Sequence, residues 1–207
     1  MNAIMVIAAA LYGGVLSRWH GGGFISGSPK VLKNSLWALP FAAVSFLALH
    51  AHGVDGWPLY LAAAVSFALC LFGKATGHGG GMDLAHSPKE PGGNPSRTLE
   101  KLERLIFWLY DKLPRYWYDF TLLVVIGLAS TSGAALALGY VNPLAGLIVA
   151  AGGAMKAVAY AIGWRLHDLF SWPDSLPKDF DEPTELGEFL TGAFAFTGLA
   201  IGAIMVL

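Results

Sequence analysis

The sequence predicts an all-α protein: a single integral membrane domain over residues 1–207, built as a bundle of six transmembrane helices in three tandem hairpins, with one further amphipathic helix in the cytoplasmic interface. Three observations lead there. The chain is 55% hydrophobic and only 13% charged, where soluble domains carry about 25% charged residues. Six apolar stretches, 2–17, 36–50, 57–72, 118–139, 143–164 and 187–207, are separated by alternately long and short connections. And twelve of the thirteen Lys and Arg residues fall in the long connections.

Crossing a hydrocarbon core of about 30 Å takes roughly 20 apolar residues, with about 17 near the minimum. The first stretch carries no Lys or Arg before Arg18, so the basic region that opens a signal peptide is missing and residues 2–17 read as a membrane helix. The first three stretches are short and draw on their flanks to complete a crossing. The last three are long enough alone. Residues 51–56 and 140–142 are tight turns, whereas 18–35, 73–117 and 165–186 are long connections.

Consecutive helices must cross in opposite directions, so the long connections share one side and both termini share the other. Arg18, Lys30 and Lys33 lie in the first long connection; Lys74, Lys89, Arg97, Lys101, Arg104, Lys112 and Arg115 in the second; Arg165 and Lys178 in the third. Cytoplasmic loops carry the excess of Lys and Arg. The expected localisation is therefore the bacterial inner membrane, with long connections cytoplasmic and both ends outside. Trp57, Tyr60 and Tyr140 then mark the outer boundary, and Trp37, Tyr116, Trp117, Tyr118 and Trp164 the inner one.

Within the second connection, Leu99, Leu102, Ile106, Leu109 and Leu113 recur at three- and four-residue steps, the period of one helix face. Pro95 sits at the start and Pro114 at the end, so an amphipathic helix is expected over 96–113, lying in the headgroup region. Net charge is −1, which argues against a nucleic-acid partner. The single cysteine, Cys70, forms no intrachain disulfide.

Chemistry concentrates where the helices leave on the cytoplasmic side. His20-Gly21-Gly22-Gly23 follows Arg18, and His78-Gly79-Gly80-Gly81 follows Lys74. A third exit reads Gly163-Trp164-Arg165-Leu166-His167. Glycines leave backbone N–H groups open to close approach by a ligand, and consecutive N–H groups can cradle an anion. Arg18, Lys74 and Arg165 would add cations for a phosphate or carboxylate. Esterases use an HGGG segment as an oxyanion hole beside a G-x-S-x-G nucleophile; this chain has no such elbow, so that homology is rejected.

His78, Asp83 and His86, with His167 of the third exit, form a candidate set for a divalent metal, which would activate water or polarise a phosphate. Lys156 is the basic residue within a span, a functional candidate by its position alone. Glu188, Glu185 and Asp119 are its candidate partners. The third connection is acidic, with Asp174, Asp179, Asp181 and Glu182 against Lys178, and reads as solvated.

The Arg18-x-His20-Gly-Gly-Gly exit, the segment leading to Met82-Asp83, and Lys156-x3-Tyr160-x2-Gly163-Trp164 together resemble small polytopic membrane proteins encoded by tailed phages and prophages. That resemblance implies a multi-span membrane protein and no particular activity. The chain is also similar, in placing Gly-rich motifs in cytoplasmic loops of a small helical protein, to the membrane acyl-phosphate glycerol-phosphate acyltransferases. Their characteristic motif residues are not reproduced here, and no roles carry over.

Three functional readings follow. The first is an enzyme at the cytoplasmic leaflet acting on a phosphate-bearing lipid or lipid-linked substrate. His20, His78 and Asp83 would be its catalytic groups, and Arg18, Lys74, Lys156, Arg165 and the two glycine triplets would bind substrate. The second is a small channel or transporter using Lys156. The third is a non-catalytic protein that alters a host membrane or membrane complex. The partners implied are membrane lipid and either a second copy of the chain or a host membrane protein.

Overall fold

The computed structural model describes residues 2–21, 30–76, 108, 112, 115–170 and 185–207, and side chains within 2–17, 35–71, 117, 120–163 and 186–207 as well as at 108 and 112. Seven helices account for nearly all of this: α1 (Asn2–Gly21), α2 (Lys30–Ala51), α3 (Trp57–Thr76), α4 (Arg115–Val141), α5 (Pro143–Ala154), α6 (Lys156–Phe170) and α7 (Glu185–Val206). No strand occurs among the described residues. The helix expected over 96–113 lies outside them, apart from Trp108 and Lys112, which are helical and exposed.

Three helical stretches are long and apolar enough to cross a membrane: Phe120–Val141, Pro143–Gly163 and Leu186–Val206, of 22, 21 and 21 residues. At 1.5 Å per residue these span about 32 Å, matching a hydrocarbon core of about 30 Å. Asn2–Ser17, Ser35–Ala51 and Trp57–Leu71 are shorter apolar helices. Length and composition thus give a helical protein with three candidate spans.

The short turns have local causes. Between α2 and α3, Gly53 and Gly56 adopt φ of 78° and 76°, the left-handed region that a Cβ disfavours. Gly53 donates to His50 O at 3.1 Å and Val54 to Leu49 O at 3.0 Å, which closes the end of α2. Between α4 and α5 a single residue suffices. Asn142 is extended (φ −144°, ψ 109°), its side chain accepts from Leu144 N, and Pro143 takes the first helical position, where a missing N–H costs nothing.

The stretch expected as one helix over 143–164 is interrupted at Met155, directly after Gly152-Gly153 and directly before Lys156. The hydrogen-bond ladder continues on both sides: Met155 donates to Ala151 O at 3.0 Å and accepts from Ala159 N at 2.8 Å. The axis of α5 therefore passes into α6 with only a local irregularity.

Backbones approach closely at glycine, and these contacts order the helices. Gly13 and Gly14 of α1 lie against Gly192, Phe196 and Phe189 of α7, with residue numbers rising on one helix as they fall on the other, so the pair is antiparallel. Gly152 of α5 meets Gly198 of α7; Gly127 of α4 meets Gly153 of α5, and Gly139 meets Gly146. Gly133 of α4 rests on Ser66 of α3. Ser66 in turn shares a 2.9 Å hydrogen bond with Ser45 of α2, which also donates to Phe41 O at 2.7 Å. Packing thus runs α1, α7, α5–α6, α4, α3, α2, while α1 and α2 touch only sparsely.

Phe41, Leu138 and Val149 are fully buried in the main apolar core, to which α1, α2, α3, α4, α5 and α7 contribute. Large apolar side chains also face outward, with Ile4, Leu136 and Leu147 each about two-thirds exposed or more. An exterior this apolar suits hydrocarbon rather than water.

Gly153→Val is expected to be severe, because a Cβ there meets Thr131 and the Gly127 carbonyl oxygen; overpacking of this kind costs about 1–3 kcal/mol. Gly139→Ala should be tolerated, since its Cβ would lie 3.6 Å from Gly146 Cα, an ordinary contact. Unfolding titrations in mixed micelles compare the two; equal losses would contradict the glycine-seam packing.

Candidate functional site

Among the described residues, the buried charged side chains are Lys156 and Glu188. Lys156, the first residue of α6, is 7% exposed, and Glu188, in the first turn of α7, is 4% exposed. Glu188 lies within coulombic reach of both Lys156 and Tyr160. Tyr160 follows Lys156 by one helical turn, the spacing that stacks side chains on one helix face. Its ring centroid lies 5.8 Å from Lys156 Nζ, within range of a cation–π contact. A charged side chain at a helix centre in hydrocarbon costs about 2.5–3.5 kcal/mol on insertion scales; a carboxylate and an aromatic face offset part of that for Lys156.

Each element contributes for a local reason. Gly127 and Gly153 let α4 and α5 close up, and a Cβ on Gly127 would lie 3.2 Å from Lys156 Cβ, so the lysine stem is set against α4. Leu123, Ile126, Ala157 and Tyr160 form a small apolar cluster between α4 and α6 beside it. On α7, Gly192 touches Ser17 of α1. Glu188 lies one turn before Gly192, about 6 Å along the axis. Because α1 and α7 are antiparallel, that step brings Glu188 level with the last turn of α1. The backbone of that turn carries Arg18 and His20, both within α1. Ser17, buried completely, sits at the same level.

Of the residues singled out by sequence, the structure brings Lys156 together with Glu188, one of its three expected partners. The side chains of Glu185 and Asp119 lie outside the described residues. Arg18, His20 and Gly21 belong to the last turn of α1 and Lys74 to the end of α3, so the helices run further than the apolar stretches did. Arg165 and His167 continue α6, with Arg165 nine residues beyond Lys156, about 13 Å along the axis. Gly22, Gly23, His78, Gly79, Gly80, Gly81, Asp83 and His86 lie outside the described residues. Among the described residues no group of three His, Cys, Asp or Glu side chains could hold a metal ion.

Two features of the centre went unread in sequence. Tyr160 was seen only as part of a motif, although its four-residue spacing from Lys156 on a helix was a usable signal. The contact of α1 with α7, which sets Glu188 level with Arg18, joins the two ends of the chain and has no local signature beyond Gly13-Gly14 and Gly192.

Comparison with protein-family models, with curated proteins and with solved structures returns no match.

Removing one member of a buried charge pair leaves the other desolvated and costs about 3 kcal/mol. Lys156→Met is therefore expected to destabilise strongly, as is Glu188→Ala, while Lys156→Met with Glu188→Gln recovers much of the loss. A double-mutant cycle on unfolding free energy measures the coupling. Strict additivity would mean that the two groups do not interact.

Proposed function

We propose that the chain is an inner-membrane protein of six spans in three hairpins, with its long connections cytoplasmic. We further propose that it acts at the cytoplasmic leaflet on a phosphate-bearing lipid or lipid-linked substrate. The observation that carries this reading is the buried Lys156–Glu188 centre, set level with the end of α1 that bears Arg18 and His20. Three short apolar helices would complete the crossings with their flanks, as tilting and snorkelling side chains allow. The basic residues outside the spans sit at one set of helix ends, which supports the orientation.

In this reading Lys156 is the deepest cation of a path whose outer members are Arg18, Lys74 and Arg165. A phosphate would be drawn to these groups by charge, and the backbone N–H groups of the two glycine triplets would donate to its oxygens. Glu188 keeps Lys156 compensated while the site is empty and releases it when an anion takes over. His20 and His78, with Asp83, would be the catalytic groups, moving protons at the bond that breaks where no metal is bound. A divalent ion held by His78, Asp83, His86 and His167 would supply the polarisation that a phosphate or water needs.

A second reading is favoured by a specific observation. Ionisable groups buried within apolar helices commonly mark ion or substrate pathways, and Lys156 and Glu188 are two such groups, beside the local irregularity at Met155. There the Lys156–Glu188 centre would exchange partners with a moving ion.

Purified protein in nanodiscs separates the two. Under the lipid reading, mass spectrometry finds an anionic lipid retained by the wild type, and Lys156→Met lowers that retention about tenfold or more, the weight of a charge-assisted hydrogen bond. Under the transport reading, reconstituted vesicles show an ion flux that Lys156→Met abolishes, with no retained lipid. Metal analysis of the same sample tests the histidine set. Orientation has its own measurement: an impermeant thiol reagent applied from outside should modify Val54→Cys and spare Gly92→Cys.

A further inference from the structure

The seam between α1 and α2 differs from the glycine seams. At those, neighbouring helices meet backbone to backbone, as at Gly13–Gly192, Gly127–Gly153, Gly152–Gly198 and Gly133–Ser66, while α2 and α3 are joined by the buried Ser45–Ser66 hydrogen bond. Between α1 and α2, sparse in contacts, the described residues supply side chains instead. Phe196 of α7 fills the gap, edge-on to Tyr12 of α1 (5.3 Å) and to Trp37 and Phe41 of α2 (5.0 and 5.3 Å). A hydrogen bond also joins the two helices directly: the Tyr12 hydroxyl donates to Leu36 O at 3.0 Å.

That carbonyl has a particular chemistry. Pro40 lies inside α2, four residues after Leu36, and proline has no N–H to donate back to it. Leu36 O is therefore an acceptor that α2's own ladder cannot use. In an apolar surrounding an orphaned carbonyl costs several kcal/mol, so Tyr12 satisfies a group that would otherwise hold the seam open. The bond can also break without disturbing any other hydrogen bond of α2. Proline is a common cause of kinks, and Pro40 stands within the continuous helix α2, ten residues after its start.

We propose that the α1–α2 seam is a lateral gate to the bilayer, hinged at Pro40 and latched by the Tyr12 hydroxyl. Through it the acyl chain of an anionic lipid reaches the level of Lys156 and Glu188. This rests on the lipid reading of the site. Opening moves the first turns of α2 away from α1 and uncovers the face of α7 between Phe196 and Phe189, one residue from Glu188. The glycine seams stay closed, because separating them means pulling apart packed backbones.

Nitroxide labels at Val15 and Leu39, both exposed, report the α1–α2 separation in nanodiscs, while Val15 and Leu186 serve as a control pair across the α1–α7 glycine seam. Cys70 is buried on α3. The expected result is two distances for the first pair and one for the control. In Tyr12→Phe the longer population rises about fivefold, the weight of one hydrogen bond. A single Val15–Leu39 distance that Tyr12→Phe leaves unchanged overturns the gate, whatever the protein binds. A second arm follows uptake of a fluorescent phosphatidic acid from vesicles after Val15→Cys and Leu39→Cys are joined by a short bismaleimide. Slowed uptake supports the route; uptake at the unlinked rate overturns it even if the helices move. If the wild type takes up no probe, the lipid reading fails and the gate fails with it as a lipid route.

Discussion

Close approach of backbones at glycine is the constraint on which the rest of this structure depends. In hydrocarbon there is no hydrophobic force between helices, so association relies on van der Waals contact and hydrogen bonds. Here Gly127 and Gly153 bring α4 and α5 together so tightly that a side chain on either would strike the other's backbone. The same contact sets the stem of Lys156 against α4. On the other flank, Gly192 against Gly13 and Ser17 draws α7 onto α1 and fixes the level of Glu188. The charged centre is thus where two glycine seams deliver it.

Charge in such a place must be compensated from several elements at once. Lys156 comes from α6, Glu188 from α7 and Tyr160 from α6 again, so no single helix carries a satisfied group by itself. A lysine with a carboxylate neighbour and an aromatic face can lose one partner to an incoming anion and keep another. The irregularity at Met155 stands immediately before the lysine, and the hydrogen-bond ladder runs through it, so α6 continues the line of α5.

Much of the helical plan was legible in sequence, because it rests on local chemistry. Apolar length set six helical stretches and left two short gaps, 51–56 and 140–142, where the structure turns on Gly53 and Gly56 and on Asn142-Pro143. As their need for flanking residues implied, α1, α2 and α3 each run several residues past their apolar stretch, since Arg18, Lys33 and Lys74 are good helix formers whatever their polarity. The split at Met155 was unread, as nothing in Gly-Gly-Ala-Met-Lys forbids a continuous helix. For the site, Lys156 announced itself by being charged within a span, and Glu188 was one of three candidates. Choosing among them needs the register of α7 against α1 and α5, which is a property of packing rather than of spacing.

Pro40 shows why such a gap matters. In sequence it is a proline within an apolar stretch, an unremarked fault in a membrane helix. In three dimensions the carbonyl it strands is the acceptor for a hydroxyl on another helix, so the fault in α2 becomes the means of joining α1 to it. A leucine at position 40 would restore the ladder of α2 and satisfy Leu36 O from within its own helix, weakening the reason for Tyr12 to bond there. A helix defect and a tyrosine 28 residues away in sequence therefore make one device: the proline strands the acceptor, and the tyrosine fills it.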